Sequence, residues 1–337
     1  MDTEKFHSDA IVIDTTAPVA VIEDILTNFR QGGVTAVAAT VGYGQKNLGT
    51  INYTTRNLGK WLERIRRNSD TLMHITSVED FTTAKKENKL GIIFHFQGTI
   101  AIEDDLNVLE VYHRLGLRMC QLCYNNADLV GYGCTEKEDR GLTDFGREAI
   151  KEMNRLGVIV DCAHTGLQTT LDAVKASEYP VMISHGNARA VHSNARNLPD
   201  NIIKAIADNE GVIGVNGYPA FVSGKPVPDV DDYINHIDYY KKLVGVDYIC
   251  IGMDYFEYQA GVLDNEKAMN IYNYLIDSGS WSKEDYPPPP WHYPEGIEMP
   301  EKFGNLTAAL FRRGYTEDEV TKILGGNYMR VCRQVWK

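Results

Sequence analysis

Eight short apolar runs, alternating with amphipathic segments, leave this chain few folds to choose from. The runs are Ala10 to Asp14, Val34 to Thr40, Leu90 to Gln97, Leu117 to Tyr124, Val158 to His164, Val181 to His185, Gly211 to Asn216 and Tyr248 to Asp254. Each has the length of a strand, and most are separated by a stretch long enough for a helix. The clearest helix runs from Thr143 to Leu156: Phe145, Ala149, Ile150, Met153 and Leu156 form one apolar stripe, Thr143 caps the start and Gly157 closes the end. Buried strands with helical crossovers fit a closed parallel sheet better than an open one. The expected fold is therefore α/β, a (β/α)8 TIM-like barrel with C-terminal helices, and one such domain accounts for residues 1–337.

Two successive runs stop on an imidazole, Val158-Ile159-Val160-Asp161-Cys162-Ala163-His164 and Pro180-Val181-Met182-Ile183-Ser184-His185. A lone histidine in such a run reads as a satisfied core residue. A pair at consecutive strand ends is how a barrel presents metal ligands at its open face, and it points to a metal-dependent hydrolase. The eighth run ends on Asp254, a carboxylate whose burial needs a metal or a donor in compensation, with a cap on the following segment as the alternative. His95 has the strand parity of Gln97 and reads as a hydrogen-bonded interior histidine about 7 Å deeper.

Composition removes several classes of partner. A net charge of -12 argues against nucleic acid and anionic membrane surfaces, and Arg64-Ile65-Arg66-Arg67 reads as one solvated helix face. No stretch approaches the roughly 20 apolar residues of a membrane span, and the polar N-terminus does not read as a signal peptide, which favours a cytoplasmic location. Six scattered cysteines do not form a disulfide framework, and Cys120 and Cys123 read as core thiols. Tyr286-Pro287-Pro288-Pro289-Pro290-Trp291-His292-Tyr293-Pro294 must run extended. It reads as a stiff surface connector, with a lid over the barrel mouth or a subunit contact as alternatives. A helical pair ends the chain, its last helix opened by Tyr315-Thr316-Glu317-Asp318-Glu319 and interrupted by Gly325-Gly326-Asn327.

Longer motifs carry a family resemblance. Gly141-Leu142-Thr143-Asp144-Phe145-Gly146-Arg147-Glu148, Asp161-Cys162-Ala163-His164, Ile183-Ser184-His185-Gly186-Asn187-Ala188-Arg189-Ala190, Ala195-Arg196-Asn197-Leu198-Pro199-Asp200, Gly252-Met253-Asp254 and Gly325-Gly326-Asn327 resemble the membrane (renal) dipeptidase family of the amidohydrolase superfamily. The resemblance covers nearly the whole chain. It implies a barrel holding two zinc ions, a hydroxide that attacks a dipeptide amide, and a homodimer. By position, His164 and His185 match two histidines on one metal and Asp254 the aspartate that handles the proton of the attacking water. Arg196 matches the arginine that receives the substrate carboxylate, and Tyr124 lies where members have a histidine or a tyrosine over the scissile carbonyl. On the residues alone Arg196 serves equally as a surface salt bridge and Tyr124 as an aromatic wall.

The chain also departs from the family pattern. Thr16 and Pro18 stand where members carry a His-x-Asp pair, and Gln97 stands where a glutamate bridges both metals. A neutral amide offers one weak oxygen and no charge to offset two dications. The sequence thus predicts one zinc ion or none, on His164, His185 and Gln97, with the second position lost. The function expected is a dipeptidase-like metallohydrolase acting on a dipeptide or a small carboxylate-bearing amide. A non-peptidase small-molecule enzyme of the isomerase or lyase type, or a catalytically silent ligand-binding relative, is the alternative.

Overall fold

The computed structural model describes residues 2–45 and 48–337. Among these residues nine strands run parallel: β1 (Ile13–Asp14), β2 (Ala36–Gly42), β3 (Leu72–His74), β4 (Leu90–Phe96), β5 (Leu117–Gln121), β6 (Ile159–Asp161), β7 (Met182–Ile183), β8 (Val212–Val215) and β9 (Ile249–Ile251). All but β3 pair with their neighbours in chain order, and pairing of β2 with β4 and of β1 with β9 closes an eight-stranded barrel. The extra strand β3 lies against the first half of β4, Leu72 opposite Leu90, while β5 takes the second half, His95 opposite Met119. Its three residues are too few for an alternation to show in the sequence.

Strand alternation sorts the barrel into two surfaces. Val37, Ala39, Ile92, Phe94, Val160 and Ile213 face the surrounding helices, while Ala36, Ala38, Ile93, Met119, Ile159, Met182, Val212 and Cys250 share an inner cluster. The C-terminal helix Asn327–Val335 closes that cluster from below with Tyr328, Val331, Cys332 and Val335. A π-helical turn at Lys322–Gly326 sets its approach, and Gly325 is required there: a Cβ would lie 2.7 Å from the carbonyl oxygen of Ile11. Gly214 and Gly252 admit the Ser184 carbonyl, which would stand 2.0 and 1.9 Å from any Cβ added to them.

The helix read between Thr143 and Gly157 forms at Asp144–Leu156, with the Thr143 hydroxyl accepting from the Gly146 N–H and Gly157 left-handed at φ 81°. Thr316 opens the helical region near the C-terminus through a capping box with Glu319. All six cysteines are free, and Cys120 and Cys123 are buried. No helix among the described residues is long and apolar enough to cross a membrane.

The polyproline segment departs from the expected surface connector. Tyr286, Trp291 and Tyr293 are buried, and the Tyr293 hydroxyl donates to the carbonyl oxygen of Asp254. Trp281 stacks on Tyr286 at 4.3 Å, and the Asn125 amide donates to Ser280 O across 2.7 Å. The aromatic residues between the prolines decide this, because their apolar area is removed from water only by folding back across the mouth.

Candidate active site

Both histidines lie just beyond their strands, because the ladders stop at Asp161 and Ile183. His164 and Asp254 are left-handed, with φ 60° and 54°. That conformation costs a non-glycine residue about 1–3 kcal/mol and turns each side chain away from the direction strand alternation would give it.

Hydrogen bonds fix the tautomers of both imidazoles. His185 Nδ1 meets Ser184 Oγ at 2.8 Å and Thr16 Oγ1 at 3.2 Å. Ser184 spends its proton on Asp161 Oδ2 (2.6 Å) and Thr16 spends its own on the Thr15 carbonyl (2.6 Å), so Nδ1 is the donor. Nε2 is then the bare nitrogen; it is buried and has no partner among the described residues, with Asp254 Oδ2 4.0 Å away. His164 Nδ1 donates to Asn125 Oδ1 across 2.6 Å, since the Asn125 amide nitrogen is directed at Ser280 O, and this also leaves Nε2 bare. The two rings are 4.8 Å apart. Burial and the Arg196 charge push the His185 pKa down to about 3 and that of His164 well below its usual value, so both are neutral.

Beneath them Asp161 accepts from His95 Nε2 at 3.0 Å and from the Ala163 and Ser184 N–H groups, each at 2.9 Å. Burial opposes its charge, but the hydrogen bonds from His95 and Ser184 hold its pKa below the usual carboxylate range. Because β5 separates β4 from β6, this contact crosses the barrel interior, where His95 was expected to lie.

Asp254 has the opposite balance. Burial raises its pKa to about 7 against the pull of Arg196 and of the Asn216 amide 3.4 Å away. Tyr124 stacks on His164 at 4.2 Å, and its oxygen accepts from Trp281 Nε1 at 3.2 Å. Gln97, Tyr124, His164 and Asp254 all line one cavity of about 420 Å³. Arg196 stands behind it: Nε donates to the Tyr286 hydroxyl at 3.1 Å, the guanidinium lies over Phe221, and Tyr286, not Arg196, is among the described residues of the cavity wall. The structure thus places four of the six expected site residues in the cavity wall, with His185 buried against His164 and Asp254 and Arg196 one side chain away.

Asn125, Ser184, Asp161, Glu257 and Tyr286 escaped the sequence reading. Only Asp161 left a signal, a charge inside the otherwise apolar run Val158-Ile159-Val160-Asp161.

The donor set does not fit two ions. Thr16 is engaged with Thr15 and His185, Pro18 has no donor, and Gln97 is neutral; among the described residues no three His, Cys, Asp or Glu side chains are placed to hold a metal together. What remains toward a metal is a pair of bare imidazole nitrogens, each fixed from its far side.

The fold and these groups define a barrel enzyme whose chemistry sits at the carboxyl ends of the strands. The chain belongs to the membrane dipeptidase family (peptidase family M19), which matches residues 13–286 and 291–337. Dipeptidase tcpJ of Claviceps purpurea (strain 20.1) is 26% identical over 270 residues, 79% of this chain and 56% of that protein, so the match spans little more than half of that relative. An amidohydrolase from Pseudomonas aeruginosa superposes with a TM-score of 0.89 at 33% identity, covering 100% of this chain and 99% of the other. A metallo peptidase from Rhodobacter sphaeroides, liganded with a phosphinate mimic of the dipeptide L-Ala-D-Ala, shares the fold with a TM-score of 0.80 at 19% identity over 97% of this chain and 100% of its own.

Proposed function

We propose that this protein hydrolyses the amide bond of a dipeptide or another small amide bearing a carboxylate. The observation that carries the reading is Asp254, a carboxyl group in the barrel mouth whose pKa of about 7 suits a general base near neutral pH. Its carboxylate takes the proton of the attacking water. The Tyr124 oxygen accepts from Trp281, which leaves the phenol proton to donate to the substrate carbonyl oxygen. Arg196 pairs with the substrate carboxylate once Tyr286 releases its Nε. The aromatic strap over the mouth excludes bulk water from these contacts. A zinc ion held by His164 and His185 with Gln97 beside them would supply a Lewis acid and a more acidic water. The dipeptidase relative supports the substrate class, and a cytoplasmic homodimer belongs to the same proposal.

A second reading, isomerase or lyase chemistry run without metal by the same side chains, draws support from Thr16, Pro18 and Gln97 at the family's metal positions. Metal content per chain and dipeptide hydrolysis separate the two. About one zinc per chain, lost in His164→Ala and His185→Ala, with activity removed by chelator and restored by zinc, is expected. A chain that takes up no metal when zinc is supplied, and leaves dipeptides intact, sinks the hydrolase and leaves the second reading.

A further inference from the structure

We propose that the barrel mouth contains a subsite for a cationic ammonium group of the substrate, formed by the Glu257 carboxylate, the Gln45 side-chain oxygen and the phenol rings of Tyr43, Tyr53 and Tyr258. The inference rests on the small-amide hydrolase reading and names the group that one end of its cavity selects.

All five residues line the same cavity as Asp254 and Tyr124. Glu257 Oε2 and Gln45 Oε1 are buried, and neither has a hydrogen-bond partner among the described residues. Both are acceptors, so the group that completes them is a donor. Leaving a buried acceptor unpaired is costly, and two of them facing one cavity describe a place kept for a ligand. A cation is the donor that fits, because no Lys or Arg offsets the carboxylate among the described lining residues, and Arg196 stands behind Tyr286. Burial accordingly raises the Glu257 pKa to about 7, relieved only by its own backbone N–H.

The aromatic residues point to the same ligand. Tyr43 and Tyr53 meet edge to face at 6.1 Å, and the Glu257 charge is close enough to raise the phenol pKa of both Tyr43 and Tyr258 after burial has done so. Phenol rings around a carboxylate attract an ammonium through their π faces and repel an anion. The approach carries the same sign. A wider outer cavity of about 1020 Å³ shares Gln45, Tyr124 and Tyr274 with the inner one and is lined by Glu103, Asp104, Asp128 and Glu136, with no Lys or Arg among its described residues. Such a vestibule concentrates cations ahead of binding.

The test does not need turnover. Benzylamine and benzyl alcohol differ by an ammonium for a hydroxyl, and each is titrated calorimetrically into the full chain at about pH 8, where an alkylammonium stays charged. The wild type is expected to bind the amine about tenfold more tightly. Glu257→Gln should abolish that preference, and Tyr53→Leu, at a position 40% exposed and so safe for folding, should reduce it several-fold while keeping the charge. Equal affinities in the wild type, or a preference that survives Glu257→Gln, overturn the proposal. Hydrolysis of alanyl-alanine, its N-acetyl derivative and N-acetyl-lysyl-alanine then locates the ammonium. A KM raised by acetylation in both acetylated compounds assigns the α-amino group, and rescue by the lysine assigns a side chain. One KM for all three overturns the subsite. No cleavage of any of them defeats the hydrolase reading, while the probe titration still decides the subsite.

Discussion

Two carboxyl groups three residues apart, Asp254 and Glu257, show how burial sets chemistry at single positions. Burial raises both to about 7. As a base, Asp254 works only when ionised, so the hydrolysis rate should climb as pH rises toward 7 and level off above it. Asp254→Asn is expected to lower kcat by about 10²–10⁴ and to erase the ascending limb. A full rate in that variant would remove Asp254 from the chemistry. Glu257 bears on stability. Its folded pKa lies above the unfolded value of roughly 4.3, so the folded state holds the proton more tightly and stability falls as pH rises between the two. Glu257→Gln should therefore melt higher than the wild type above about pH 7 and alike near pH 4. A melting difference constant with pH would contradict this account. Neither shift was legible from the residues: Asp254 announced itself by ending an apolar run, but Glu257 follows it among aromatic residues and gains its character from burial in a cavity that it shares with Tyr43 and Tyr53, some 200 positions earlier.

Among the elements, the strands were read correctly in number and order, apart from β3; β1 ends at Asp14 as expected, β2 runs past the expected Thr40 to Gly42, and β4 to β9 stop short of the carboxyl ends read for them. Cys162 and Ala163 continue apolar past the β6 ladder, and a hydrophobic pattern cannot tell a strand from the buried turn that follows it. The left-handed backbone at His164, three residues past the end of β6, aims the imidazole. Close approach between elements leaves a sharper mark. Gly252 meets the Ser184 carbonyl at 1.9 Å from where a Cβ would sit, and that carbonyl also accepts from Thr15 Oγ1 at 2.7 Å. Backbone cannot step aside as a side chain does, so Gly252→Ala should cost at least about 1–3 kcal/mol, read as a lower denaturant midpoint. An unchanged midpoint would mean that β7 and β9 do not meet this closely.

For the whole molecule, the barrel needs its C-terminal helix as a floor. Tyr328, Val331, Cys332 and Val335 close the inner cluster, so a chain ending at Gly326 should lose its cooperative melt by circular dichroism. A cooperative melt at the wild-type temperature would show that the eight strands suffice. Barrel, helices, the two histidines and Asp254 follow from local order along the chain, because periodicity and strand ends are short-range properties, while the departures at Thr16, Pro18 and Gln97 come from the family resemblance. What required the tertiary structure is everything set by contacts between distant segments. Thr16 and Ser184 fix the His185 tautomer, and Asp161 joins His95 across the interior. Tyr286 stands between Arg196 and the cavity, and the proline-rich segment is a strap whose Tyr293 holds the Asp254 carbonyl. A pattern records which residues share a face, whereas desolvation, hydrogen-bond partners and pKa depend on which faces meet.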